Sequence, residues 1–309
     1  MRGMLLAAGY GTRLAPLTDA LPKPVIPVAN RPMGWFALDH LARSGVTDLV
    51  ANTHHLPEVV QEQLSAVCPE GASLRFVHEP VLLGTGGGIS NALRPQAGET
   101  LVVANSDVLF APDLQAALSL HRRTGAIATM IVRRANLGQD YGSVEVDHHG
   151  RVRRLLGRPE AATKPLRRVV FAGYHILDAR AWGALPAQGC IVRTAYREWL
   201  DRGEIVMSAM DLGPWRDAGD LAGYLQANSD LASGRLRFRG VDPPHEGAIC
   251  HPNANVDPEA VLHQVVVGAH ANVGPVRLRR VVVWPHTTVN EAAQDSILTP
   301  SGKTAAGAP

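Results

Sequence analysis

Leu6-Ala-Ala-Gly-Tyr-Gly-Thr-Arg-Leu-Ala-Pro-Leu-Thr18 follows directly on the apolar run that opens the chain and sets Gly9 and Gly11 beside Thr12 and Arg13. An apolar run that breaks into a glycine-rich turn is how an α/β unit begins. The strand is buried on both faces, and glycine lets the backbone turn tightly and aim N–H groups at an anion. Arg13 adds a fixed cationic fork suited to phosphate. The segment lacks the Gly-Lys-Ser/Thr of a Walker loop and the third glycine of the dinucleotide fingerprint. It reads as a triphosphate cradle, with an ordinary glycine turn as the plain alternative.

The same grammar continues downstream. Short apolar runs at Met4–Ala8, Leu49–Asn52, Leu74–Val77, Leu101–Ala104 and Ala128–Val132 read as buried strands. Met33–Ser44 and Pro57–Val67 read as helices, the second opening on a proline. This alternation predicts a Rossmann-like, mostly parallel mixed sheet with helices on both faces. Ligands of such sheets sit beyond the carboxyl ends of the strands, which directs attention to the residues after Ala8 and Ala104.

From about Gly240 the helical period disappears. Val256 and Leu262, Val267 and Val273, and Val283 and Val289 each stand six residues apart. A six-residue period predicts a short left-handed parallel β-helix, each coil sending one apolar residue inward per side. The expected organisation is a catalytic domain over 1–238, the β-helix over 239–295, and a disordered Ser/Gly/Ala/Pro-rich tail over 296–309.

Composition narrows the function classes. With 46% hydrophobic and 19% charged residues, the 309-residue chain can bury a full core. Lys+Arg 30 against Asp+Glu 28 gives +2, too even for a nucleic-acid or acidic-membrane footprint, so the expected partners are small molecules. Cys68, Cys190 and Cys250 suggest neither a disulfide framework nor a metal site. The start does not read as a signal peptide, and no run reaches the roughly 18 apolar residues of a membrane span, so the chain reads as cytoplasmic. His54-His55 and His148-His149 are adjacent pairs whose side chains point apart on a strand, with no further ligand at metal spacing.

Lys23 sits between Pro22 and Pro24, which predicts an extended segment presenting the lysine to an anion, as against a solvated loop lysine. Asp107 falls just after a strand and Asp217 after Trp215. Taken singly, each reads equally well as a cap or loop carboxylate.

At this point a resemblance becomes specific. Leu6 to Pro32, LAAGYGTRLAPLTDALPKPVIPVANRP, resembles the signature of the sugar-1-phosphate nucleotidyltransferase family. Leu83-Gly-Thr-Gly-Gly-Gly-Ile, Asn105-Ser-Asp, Tyr141-Gly-Ser-Val and Trp215-Arg-Asp-Ala-Gly resemble later family motifs in the same order. The resemblance implies a nucleoside triphosphate and a sugar 1-phosphate as substrates. It implies Arg13 and Lys23 as phosphate clamps, Asp107 and Asp217 as ligands of Mg²⁺, and Leu6, Ala8, Gly9, Gly11, Thr12, Gly84 and Thr85 as further nucleotide-binding positions.

Glu79 stands where pyrimidine-using relatives often have glutamine. A carboxylate can accept from the N1–H and N2–H₂ donors of guanine, which favours GTP over UTP. Backbone groups around Ala8 and Gly84 are the other candidates for reading the base. On the sugar side, Gly142, Arg158 and Gly173 are the expected contacts. Leu156-Gly-Arg-Pro replaces the family's commoner Glu-Lys-Pro, and Phe171-Ala-Gly-Tyr-His replaces Asn-Ala-Gly-Ile-Tyr. Mannose, a heptose, N-acetylmuramate and a cyclitol all stay open as the sugar. A silent nucleotide-sugar sensor is the rival class, against which the retention of Arg13, Lys23, Asp107 and Asp217 speaks. An acyltransferase built on His263 or His270 would need more coils. Self-association through the β-helix is expected, because its edges need cover.

Overall fold

The computed structural model describes residues 1–92, 99–135, 144–157 and 165–305. The chain forms two compact units that do not follow the linear partition at residue 238. The first comprises Met1–Gly9, Ala37–Ser106 and Phe110–Trp215; the second comprises Tyr10–Phe36, Asp107–Leu109 and Arg216 onward.

A nine-stranded mixed sheet runs through the first unit. Its strands are β1 Arg2–Leu6, β2 Asp48–Thr53, β3 Ser73–His78, β4 Leu101–Asn105, β5 Ala128–Arg134, β6 Val144–Val146, β7 Val152–Leu155, β8 Arg167–Leu177 and β9 Val206–Met210. They lie in the order β7-β6-β8-β4-β1-β2-β3, with β5 also on β8 and β9 on β5. The block β4-β1-β2-β3 is parallel. β8 runs antiparallel to β4, β5 and β6.

The parallel block explains its own sequence. Strands covered on both faces must be apolar throughout, and Met4, Leu5, Val50, Leu101 and Val103 are all buried. β1 ends at Leu6 because the Ala7 N–H turns to the Asn52 side chain at 2.8 Å, so the strand stops two residues before the expected Ala8. The register of β8 shifts against β5 between Phe171 and His175, and Gly173 occupies that irregularity at φ 95°.

The helices follow their start and stop signals. α1 is Trp35–Arg43, α2 Pro57–Ala66, α3 Gly84–Ala92, α4 Leu114–Thr124 and α5 Ala195–Asp201. Asp113 caps α4 by accepting from the Ala116 N–H at 2.9 Å, and Gly125 ends it in the left-handed region. α4 buries Leu114, Ala117, Leu118 and His121, one face of a helix. Burying each leucine contributes about 1.5–3 kcal/mol.

In the second unit, α6 Leu221–Ala232 starts at Asp220, whose side chain accepts from the Gly223 N–H at 2.8 Å. After α6 come β10 Ala248–Cys250, β11 Asn255–Val256, β12 Val261–Val267, β13 Asn272–Val273, β14 Arg277–Val283, β15 Thr288–Val289, β16 Ala293–Thr299 and β17 Gly302–Ala305. They make two sheets, β10-β12-β14-β16-β17 and β11-β13-β15. Pairing is parallel except for the closing β16–β17 hairpin, and Ala248, Val265, Val281 and Ser296 fall in one column. Val267 and Val283 lie in the first sheet, and Val273 and Val289, six residues on, lie in the second. All four are buried, so each six-residue step carries the chain from one sheet to the other.

Gln264, Arg280 and Asp295 share another column and all adopt the left-handed region, at φ 59°, 52° and 48°. The bends there turn side chains onto α6: Ser229 Oγ donates to Gln264 Oε1 at 2.8 Å, and Arg280 Nη2 donates to Gln226 Oε1 at 3.3 Å.

The tail needs correction. Residues 293–305 are ordered as β16 and β17, with Ser296 and Ile297 fully buried. Polar composition suggested disorder, but Ile297 and Leu298 supply the apolar surface for one more strand, and Gly302 permits the hairpin. Of the expected tail, 306–309 lie outside the described residues.

Candidate active site

The phosphate-cradle segment belongs to the second unit from Tyr10 onward. Gly11 sits in the left-handed region at φ 67°, and a Cβ there would lie 2.9 Å from both Lys23 Cβ and Thr18 Cγ2. Glycine is therefore required for turn and packing together. Thr12–Leu14 form a single 3₁₀ turn that buries Leu14 and leaves Thr12 and Arg13 exposed.

Lys23 is presented differently from the extended segment read from the prolines. Pro22 is extended, but Lys23–Val25 form a 3₁₀ turn, since the fixed φ of Pro24 suits a helical turn as well as an extended chain. The segment that follows is held on α6. The Tyr224 hydroxyl donates to Pro27 O at 2.6 Å and accepts from Trp284 Nε1 at 3.0 Å, while the Ala29 N–H donates to Asn228 Oδ1 at 2.9 Å.

Two carboxylates converge with these cations. Lys23 Nζ is ion-paired to Asp107 Oδ2. The Ala218 N–H donates to the Asp107 carbonyl at 2.9 Å, which ties the residue after Asp217 to Asp107. Gly219 marks where the groups meet: a Cβ built on it would lie 2.8 Å from Asp217 Oδ1, 2.9 Å from Asp107 Oδ2 and 3.0 Å from Arg13 Nη2. Any larger residue at 219 would fill this cradle. Burial, and then the negative charge of Asp107, hold the Asp217 carboxyl above its usual range.

Two crowded carboxylates, one with a raised pKa, form an oxygen donor set that fits a hard divalent cation needing few protein ligands. The residues present thus suit a divalent metal. Among the described residues no group of three or more His, Cys, Asp or Glu side chains could hold one.

Asp230, absent from the sequence reading, supports the short strand Trp215–Asp217. It is 1% exposed on α6 and is ion-paired to Arg216, the neighbour of Asp217, and to Arg235 at 2.8 Å. The residues leading to it, Gln226-Ala-Asn-Ser229, are mostly polar and gave no sign that it is buried.

The first unit holds the remaining expected nucleotide residues. Leu6 ends β1, Ala8 is buried and Gly9 is exposed. From there a directed chain of hydrogen bonds runs inward: the Ala7 N–H donates to Asn52 Oδ1, Asn52 Nδ2 donates to Glu79 Oε1 at 2.7 Å, and the Leu83 N–H donates to Glu79 Oε2 at 2.9 Å. The reading of Glu79 as the base-reading carboxylate is corrected here. No part of the residue is exposed, and both oxygens are engaged within the fold. Asn52 is the position that sequence reasoning missed, at the polar end of an apolar strand.

The glycine run of α3 is explained by close approach. A Cβ on Gly88 would lie 2.7 Å from both Asn52 Nδ2 and Glu79 Oε1, and one on Gly84 would lie 2.9 Å from the Gly189 backbone. Thr85 Oγ1 accepts from the Ile191 N–H at 3.0 Å. Gly173 is buried within β8. The other two sugar-side positions, Gly142 and Arg158, lie outside the described residues.

Known proteins agree with this architecture. The pattern of the family described as Nucleotidyl transferase matches residues 2–234. A mannose-1-phosphate guanylyltransferase of Mycobacterium tuberculosis is 30% identical over 292 residues, covering 91% of this chain and 79% of the relative. A UTP–glucose-1-phosphate uridylyltransferase of Synechocystis is 28% identical over 260 residues, covering 77% of this chain and 65% of the relative. The crystal structure of HddC from Yersinia pseudotuberculosis, complexed with GMP-PN, shares the fold at a TM-score of 0.60 and 19% identity, covering 73% of this chain and 97% of that one. The matched span takes in the glycine cradle, Lys23, Asp107 and Asp217, and the chain belongs to the sugar-1-phosphate nucleotidyltransferase family.

Proposed function

We propose that this enzyme joins GTP to a sugar 1-phosphate, with mannose 1-phosphate the first acceptor to test, and releases pyrophosphate. The observation that carries the reaction is the convergence of Asp107, Asp217 and Arg13 on one point, with Lys23 paired to Asp107. The choice of GTP and mannose rests on relatives that bear the guanylyltransferase name.

A sugar-phosphate oxygen attacks the α-phosphorus in line. One P–O bond forms, the α–β bridging P–O bond breaks, and the electron pair leaves on pyrophosphate. Such a transfer asks the protein for positioning and charge, not for a side-chain nucleophile. Arg13 and Lys23 hold the phosphate oxygens and offset the charge that gathers on the leaving group. Asp107 and Asp217 would hold Mg²⁺, which supplies Lewis-acid neutralisation of phosphate oxygens when bound. Leu6, Ala8, Gly9, Gly11, Thr12, Gly84 and Thr85 bring mainly backbone groups to the nucleotide, and base choice falls to those around Ala8 and Gly84. Gly142, Arg158 and Gly173 serve the sugar phosphate. The parallel coils after residue 247 form a left-handed β-helix through which copies of the chain associate.

Pyrophosphate release from each of the four NTPs and dTTP, against a panel of sugar 1-phosphates with Mg²⁺, tests the reading. Release with GTP and one sugar supports it. Release with UTP alone replaces the nucleotide, and nucleotide binding without any release points to a sensor.

A further inference from the structure

The outer face of the coiled strands is electrically divided about one exposed apolar residue. Val261 is 54% exposed at the start of β12. In register it lies beside Arg277, and His263 lies beside Arg279. A cleft of about 550 Å³ covers these residues and reaches Lys303. A second cleft of about 620 Å³ starts from the same Val261 and is lined by Asp242, Glu246, His245 and Leu262, its two carboxylates outnumbering the one imidazole. One half of the face is therefore basic, the other acidic, and Val261 belongs to both.

Among the described residues, no ion pair uses any of these charges. Among the described residues from Arg216 onward, the ion pairs are Arg216–Asp230, Arg235–Asp230 and Arg280–Asp295. None of them uses Asp242, Glu246, Arg277, Arg279 or Lys303.

A surface with unlike charges on either side of an apolar centre is complementary to itself under a two-fold rotation. The rotation lays the basic half of one copy on the acidic half of the other and buries the centre against its own image. An anionic polymer or nucleotide would match only the basic half, leaving Val261 in water and Asp242 and Glu246 repelling it. We propose that this face is an isologous homodimer contact with its two-fold axis at Val261, Asp242 and Glu246 of one copy facing Arg277 and Arg279 of the other. The proposal rests on the self-association read above and names the surface responsible.

Charge reversal tests it on the full chain. Sedimentation equilibrium or light scattering at micromolar concentration gives the dimer Kd of the wild type, of Glu246→Arg, of Arg279→Glu, and of the two combined. Each single reversal sets like charges opposite one another and raises Kd about tenfold or more, while the double reversal recovers most of the loss. Val261→Asp raises Kd as well, and 1 M salt weakens the wild-type dimer. Melting temperature and turnover stay at wild-type values, showing that the variants fold. A monomeric wild type overturns both this assignment and self-association. A dimer indifferent to the reversals overturns this face alone. Binding of polyphosphate by a monomer through Arg277 and Arg279 assigns the basic half to an anionic ligand instead.

Discussion

Lys23 and Asp107, 84 positions apart in the chain, are joined as an ion pair. Their side chains are only 15% and 16% exposed. A pair so placed fixes each side chain against the other at the point where Asp217 and Arg13 also converge.

Lys23→Ala is expected to lower kcat about 10²–10³-fold, the cost of removing one donor from developing negative charge. Asp107→Asn is expected to remove metal-dependent turnover. Pyrophosphate release against metal concentration reads both, and thermal melts check the fold. Wild-type kcat in Lys23→Ala would exclude the lysine from the transfer.

The Asp217 carboxyl is raised above its ordinary 3.8, so the folded protein binds that proton more tightly than the unfolded chain. Stability of the metal-free protein therefore falls as pH rises from about the unfolded value through the raised folded value. Asp217→Asn removes the buried charge. It is expected to melt above wild type at pH 7 without metal, to lose that advantage in acid, and to gain nothing from added Mg²⁺. A variant that melts below wild type at pH 7 would refute this.

The hydrogen bonds from Ala7 through Asn52 to Glu79 run in one direction, and Leu83 donates from the other side. Position 79 must accept twice. Glu79→Gln sets a donor against a donor wherever the amides are turned, leaving one buried group unsatisfied at about 1–3 kcal/mol. Lower melting is expected together with a raised KM for the nucleotide and a smaller change in KM for the sugar phosphate. Equal changes in both KM values would mean that Glu79 acts on stability alone.

His175 is 2% exposed and its Nδ1 lies 2.8 Å from the Tyr196 hydroxyl. Burial pushes its pKa down from 6.5 to about 3. The unfolded chain binds this proton first, so stability falls as pH drops from about 6.5 toward 3, by up to ~1.4 kcal/mol per unit. His175→Gln, which keeps a polar partner for Tyr196, is expected to flatten urea-unfolding stability against pH over that window. An unchanged slope would assign it to other groups.

The local signals in the chain were sufficient for the apolar strands β1 to β5 and for the glycine-rich turn that follows β1. Burial on both faces demands unbroken apolar runs, as in β1 and β4, and a phosphate site demands glycine and cations near a strand end. The six-residue valine steps were legible for the same reason, because each carries the chain from one sheet to the other.

Tertiary structure alone decided what those residues meet. Gly219 reads as an ordinary loop glycine until folding brings Asp107, Asp217 and Arg13 to the space beside it. Glu79 reads as an exposed carboxylate suited to guanine until Asn52, 27 positions away, takes one of its oxygens. Strand β16 reads as part of a polar tail until the preceding strands offer Leu298 a shared core. Hydrogen-bond partners and buried surface come from segments far apart in sequence, and the fold chooses them by closing chain loops that no local period encodes.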